Sequence, residues 1–223
     1  MTGFPFLPAR VEIKICGLTC FEDARFALAA GADYLGFVFH RGSPRHVTPA
    51  AAQAIVARLG GGVRAVGVFV NVTPCEALAV ARQCGLWAVQ LHGCELPGPF
   101  AGYPARLWRS VSFREGRPSP DPSEWKAARL VVDAFAPGRQ YGGTGRVADW
   151  AAAAVLARER QVMLAGGLTP ENVAAAVAEV RPAGVDVSGG VERSPGKKDQ
   201  ERIRAFIRAV RGPGVAERKV TRR

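Results

Sequence analysis

Short β-branched, apolar runs alternate along this chain with longer alanine-rich stretches. The runs lie at VEIKICG (11–17), YLGFVF (34–39), RAVGVFV (64–70), AVQLHG (88–93), RLWRSVSF (106–113), RLVVDA (129–134), QVMLAGG (161–167) and GVDVSGG (184–190). Each reads as a strand. Between them, TCFEDARFALAAGA carries Thr19 and Glu22 as a capping box and Gly31 as a stop. TPAAAQAIVARLG, TPCEALAVARQCG and TPENVAAAVAEV each place Thr at the N-cap and Pro at the first helical position. Strand-helix units repeated this way predict a parallel sheet. Eight of them in about 200 residues predict an α/β protein built as a single (β/α)8 (TIM) barrel, near the lower size limit of that architecture. A doubly wound sheet is the alternative, disfavoured because no second domain stands out. CELPGPFAGYPA and SFREGRPSPDPSEW are too rich in Pro and Gly for long helices, so one barrel helix is expected to be stunted and the stretch after the fifth strand to be mostly loop.

Side chains alternate across a strand, and both faces of a parallel barrel are buried, so inward polar residues near strand ends need a reason. In the first strand Ile13 and Ile15 face the helices, leaving Glu12, Lys14 and Cys16 inward. By the same phase Gln90 and His92, Asp133, and Asp186 with Ser188 point into the barrel from three further strands. Barrel active sites are built at those carboxyl ends. Glu12 and Lys14 could simply pair with each other, and His92 could be a hydrogen-bonded wall residue.

Glycines follow the seventh and eighth strands in LAGGLTPENV and VSGGVERSPG. They let backbone N–H groups approach a ligand, and loops at these two positions commonly hold phosphate. Gly166, Gly167, Ser188 and Gly189 are the phosphate-site candidates, with plain tight turns as the alternative. YGGTGRVADW (141–150) could form a lid or an ordinary flexible loop.

Composition narrows the setting. The 223 residues carry a formal charge of +11, part of it in Arg218, Lys219, Arg222 and Arg223 after Gly212-Pro213-Gly214. Residues 1–10 read as an extension, 11–211 as the barrel and 212–223 as a basic, disordered tail, with an RNA-binding arm the minority reading. No run approaches the roughly 18 apolar residues of a membrane span, and the N-terminus lacks a signal-peptide pattern. A cytoplasmic protein with neither membrane nor nucleic-acid partner is expected. Five scattered cysteines, with no C-x-x-C and no H-x-x-x-H, predict neither a disulfide framework nor a metal site.

The motifs KICG, GFVFHRGSPRHV, VGVFVN, VQLHG, VVDAFAPG followed by GGTG and DW, LAGGLTPENV, and GVDVSGGVERSPGKKD occur in that order between Val11 and Arg211. Together they resemble the phosphoribosylanthranilate isomerase family of tryptophan biosynthesis. The resemblance implies a cofactor-free Amadori rearrangement of a small phosphosugar, with Cys16 as general base, Asp133 as general acid and Arg45 holding the anthranilate carboxylate. Members occur as monomers and dimers, and a monomer is favoured. Desolvation is expected to raise the Asp133 pKa, and nearby positive charge, Lys14 for instance, to favour thiolate at Cys16. Two departures stand out. Gly189 replaces a serine usual in the family, which predicts weakened phosphate binding, and Ala148 replaces an aromatic before DW. The sugar isomerase of histidine biosynthesis would carry an aspartate where this chain has Cys16, and the synthase that follows in the tryptophan pathway would show more Lys and Glu at its strand ends.

Overall fold

The computed structural model describes residues 10–103, 105–135 and 147–212. The extension before Arg10, the glycines of the 141–150 loop and the tail after Gly212 lie outside them. Within them the eight expected strands are all present, as β1 (Glu12–Ile15), β2 (Tyr34–Val38), β3 (Ala65–Phe69), β4 (Ala88–Leu91), β5 (Arg106–Arg114), β7 (Arg129–Val132), β8 (Val162–Leu164) and β9 (Gly184–Val187). They pair in parallel in the order β4-β3-β2-β1-β9-β8-β7-β5, and β4 pairs with β5 to close the barrel. A doubly wound sheet would leave two edges, so closure excludes that alternative.

The helices are α1 (Phe21–Ala30), α2 (Pro49–Leu59), α3 (Pro74–Cys84), α4 (Trp150–Ala157), α5 (Val173–Val180) and α6 (Gln200–Arg211). After β4 stands only a 3-10 turn, Gly98–Phe100, and before β7 another, Pro122–Glu124. The stretch after the fifth strand is not all loop, however. β5 runs on to Arg114 and turns back antiparallel as β6 (Arg117–Ser119). Glu115 and Gly116, at φ 53° and 74°, supply the two left-handed residues of a tight hairpin. Glu-Gly is a weaker hairpin signal than Asn-Gly, which hid it.

Two helix starts follow the sequence: Thr48 accepts the Ala51 N–H, and Thr73 with Glu76 forms a complete capping box. Two do not. α1 begins after Cys20, and Thr19 is not its cap; its hydroxyl donates to the Gly196 carbonyl, 2.7 Å away. α5 begins after Asn172, whose side chain accepts the Thr169 N–H, so Thr169 and Pro170 form the turn before the helix. In both places another partner takes the threonine.

Isoleucines 13 and 15, Leu164, Val185 and Val187 pack outward against the helices in one continuous core. Inside the barrel, Tyr34, Val66, Ala88, Trp108, Val131, Met163 and Ala165 form an apolar plug. Polar side chains lie on both sides of it along the strands. Toward the strands' amino ends, Glu12 accepts from Tyr34 Oη at 2.9 Å and pairs with Arg64 and Arg129. The expected Glu12–Lys14 pair therefore does not form, because two residues along the strand carry Lys14 past the plug.

Glu12→Ala strips two arginines and a phenol of a shared acceptor. We expect it to lower unfolding free energy by about 1–3 kcal/mol while leaving KM unchanged. Denaturant titration beside steady-state kinetics checks this, and an unchanged midpoint would refute it.

Candidate active site

A cavity of about 620 Å³ opens at the carboxyl ends of the strands, lined by Cys16, His40, Arg45, Gln90, His92, Asp133, Gly166, Gly167, Asp186, Ser188, Gly189 and Glu192 among others. Of the residues expected in the site, only Lys14 is absent from this lining, because it lies one layer deeper. It has no solvent exposure, and its ammonium contacts Asp186 Oδ2 at 2.7 Å, Gln90 Oε1 at 2.7 Å and Cys16 Sγ at 3.4 Å. Burial opposes its charge, yet Asp186 and Cys16 hold its pKa above the ordinary lysine range.

Cys16 sits above Lys14 on the same face of β1. Gly36 on the neighbouring β2 makes room for it, since a Cβ there would come within 2.7 Å of its sulfur. Burial pushes the Cys16 thiol up, Asp186 adds to that, and Lys14 and Lys198 only partly offset it. The expected thiolate is thus corrected. The lysine is in place, but Asp186 has already claimed it, and in the unliganded protein desolvation prevails.

Asp133 follows β7 and lies 3.4 Å from His92 Nε2. Burial raises its pKa, against the opposing pull of His92 and of the Ala134 N–H that its Oδ1 accepts at 2.8 Å. His92 is lowered, again first by burial, with Asp133 pulling the other way. Acid and thiol are therefore both held toward their neutral forms.

Arg45 is clamped by Glu192, Nε to Oε1 at 2.8 Å and Nη2 to Oε2 at 2.7 Å. That carboxylate also takes Lys198 at 2.8 Å. Neither Glu192 nor Lys198 was singled out from the sequence, although both lie in the GVERSPGKKD stretch. The two glycine loops meet here: a Cβ on Gly190 would sit 1.9 Å from the Leu168 carbonyl oxygen. Gly190 is thus fixed by contact, and it too escaped the sequence reading. Gly166 and Gly167 take φ of 76° and 62°. Ser188 donates its hydroxyl to the Cys16 carbonyl at 3.1 Å, which ties the end of β9 to that of β1. A Cβ at Gly189 would approach Arg45 Nη2 to 3.2 Å. Ala148 packs into the outer core.

A closed barrel with a buried carboxyl, a thiol and two apposed glycine loops at one mouth is the build of an enzyme that moves protons on a small anionic molecule. Residues 13–209 match the family described as N-(5'phosphoribosyl)anthranilate (PRA) isomerase. The N-(5'-phosphoribosyl)anthranilate isomerase of Pelobacter propionicus is 45% identical over 205 residues, 90% of this chain and 96% of its own length. The solved phosphoribosyl anthranilate isomerase of Thermus thermophilus is similar with a TM-score of 0.81 and 37% identity, covering 90% of this chain and 98% of that one. Another solved isomerase, in complex with reduced 1-(o-carboxyphenylamino)-1-deoxyribulose 5-phosphate, gives a TM-score of 0.75 and 36% identity over 90% and 98% of the two chains. This chain belongs to the N-(5'-phosphoribosyl)anthranilate isomerase family. Among the described residues no helix is long and apolar enough to cross a membrane.

The raised Asp133 pKa has a stability counterpart. A carboxyl raised in the folded state contributes least above its folded pKa, where it must ionise while buried, and its penalty vanishes below the unfolded value. Asp133→Asn is expected to stabilise the fold at pH 7.5 and to lose that gain near pH 3. Denaturant unfolding at both values checks this; an equal effect at both would contradict it.

Proposed function

We propose that the chain converts N-(5-phosphoribosyl)anthranilate to 1-(2-carboxyphenylamino)-1-deoxyribulose 5-phosphate in tryptophan biosynthesis, with Asp133 as general acid and Cys16 as general base. The observation that carries the reading is the pairing of a largely buried carboxyl and a buried thiol, both kept toward neutral, in one cavity with the apposed glycine loops. Asp133 gives its proton to the furanose ring oxygen. The C1–O bond breaks as the nitrogen lone pair forms a C1=N iminium. The Cys16 thiol then releases its own proton to solvent and the thiolate takes the proton from C2; the C–H electrons form C1=C2, and the iminium electrons return to nitrogen. The resulting enolamine tautomerises to the C2 ketone, Cys16 is left as the thiol it began as, and the proton it released restores the Asp133 carboxyl through solvent.

The thiol's raised pKa fits this order of events. A base needed only in the second step can stay protonated until the first has placed a cation beside it, and the iminium favours thiolate at that moment. Arg45, oriented by Glu192, faces the anthranilate carboxylate. The backbone around Gly166, Gly167, Ser188 and Gly189 holds the phosphate. Asp186 keeps one carboxylate oxygen, Oδ1, without a protein partner, and that oxygen accepts from a sugar hydroxyl.

Cys16→Ala and Asp133→Asn should each lower kcat by about 10²–10⁴-fold with little change in KM, measured by product formation from synthetic substrate. No turnover by the intact folded chain would refute the activity, and full turnover by both variants would refute the roles. In the unliganded protein, alkylation of Cys16 followed by peptide mass spectrometry should accelerate only above the ordinary thiol range, about pH 8.5. Fast alkylation at pH 6 would contradict the neutral thiol.

A further inference from the structure

One chain of hydrogen bonds behind the cavity has its direction fixed at its start. The Lys14 ammonium has donors only, so the Gln90 atom 2.7 Å away must be the carbonyl oxygen. That turns the Gln90 amide nitrogen toward Ser110, where Nε2 donates to Oγ at 3.1 Å. The Ser110 hydroxyl, receiving that N–H, has its own proton left to give and lies 3.0 Å from His92 Nδ1. Where it gives that proton to the ring, Nδ1 accepts, and the single proton of a neutral ring falls on Nε2, the atom facing Asp133.

We propose that Ser110 is a positioning residue that holds His92 as its neutral Nε2–H tautomer and thereby keeps the catalytic proton on Asp133. The proposal rests on the reading of Asp133 as general acid. A histidine with its Nε2 lone pair turned to Asp133 would take that proton and leave a carboxylate unable to open the sugar ring. Nε2–H cannot take it. Making an imidazolium would mean protonating Nδ1, which would give Ser110 Oγ two N–H donors and take away the acceptor of its own proton. Nε2–H also offers the substrate a hydrogen-bond donor beside the acid.

The surroundings agree with a neutral ring. Lys14 from β1 and Arg109 from β5 disfavour a positive charge there, while Asp133 after β7 and Asp186 from β9 favour one, and burial outweighs them all. Ser110 is 7% exposed and lies on the same face of β5 as Trp108 of the plug, so its hydroxyl is held in a packed setting.

The test reads the tautomer directly, by long-range nitrogen–proton NMR on the full chain with labelled histidine, His92 being assigned by its loss in His92→Gln. The intact unliganded protein should show His92 as Nε2–H at pH 7. Ser110→Ala should show Nδ1–H or imidazolium in part, lower kcat by about tenfold at unchanged KM, and move the alkaline limb of the kcat profile to lower pH. Ser110→Thr, which keeps the hydroxyl, should restore the tautomer and most of kcat. A His92 found as Nδ1–H in the intact protein overturns the proposal without any variant. So does a folded Ser110→Ala chain with an unchanged tautomer, or with a changed tautomer and an unchanged pH profile. Because the tautomer is read without turnover, its failure is distinct from failure of the proposed activity.

Discussion

The buried ammonium of Lys14 is the constraint from which the site is built. A charge with no solvent exposure is tolerated only with a close counter-charge and filled hydrogen bonds. The fold supplies both through its own closure. Lys14 and Asp186 are register partners on β1 and β9, the seam where the last strand of the barrel meets the first. Breaking either side chain would leave the other charge buried alone, so closing the barrel and forming the site are one event. Gln90 from β4 and Cys16 then take the remaining donors, which fixes the amide's orientation and, through it, the relay to His92.

A second ionic cluster does the same for the mouth. Glu192 lies between Arg45 and Lys198, and two cations hold its carboxylate below the ordinary range even though burial pushes the other way. The first cluster keeps its ammonium off the cavity wall, with Asp186 between it and the cavity, and passes order outward through neutral hydrogen bonds. The second presents a guanidinium to the cavity, held in a planar clamp that limits its rotamers. The two ionic groups are thus separate, and each can be altered without stripping the other of its counter-charge.

Period-two alternation made the inward set Lys14, Cys16, Gln90, His92, Asp133 and Asp186 legible, because a parallel strand buried on both faces makes a polar residue conspicuous. The same rule placed Ile13, Ile15, Val185 and Val187 outward, where they are. It did not reveal which inward residues touch, since that depends on strand stagger. Glu12 and Lys14 share a face but are separated by the plug, whereas Gln90 and Ser110, on the adjacent β4 and β5, bond to each other on one side of it. Ser110 sits in a strand bearing three arginines, a tryptophan and a second serine, and its hydroxyl carries no distinct signal there. Glu192, Lys198 and Gly190 depend on how loops pack, and sequence patterning does not encode that. Thr19 failed as a cap because the fold brought the distant Gly196 carbonyl to its hydroxyl, and Thr169 because a local turn, with its hydroxyl on the Glu171 N–H and its N–H on Asn172, delays the helix.

The pKa shifts give one last link between burial and timing. Desolvation lifts both Asp133 and Cys16, and for the general acid proposed at Asp133 this is direct preparation, since it favours the protonated form. For a base the same shift is a handicap, unless the reaction itself changes the field. Ring opening turns a neutral amine into a cationic iminium inside the cavity, and a unit charge a few ångströms away in a medium of effective dielectric near 20 is worth about 4 kcal/mol. That is roughly three pKa units, acting against the upward push of burial on the thiol. In the proposed mechanism burial therefore orders the two steps: it favours the protonated acid in the unliganded protein, and the iminium formed when the acid acts favours the thiolate base.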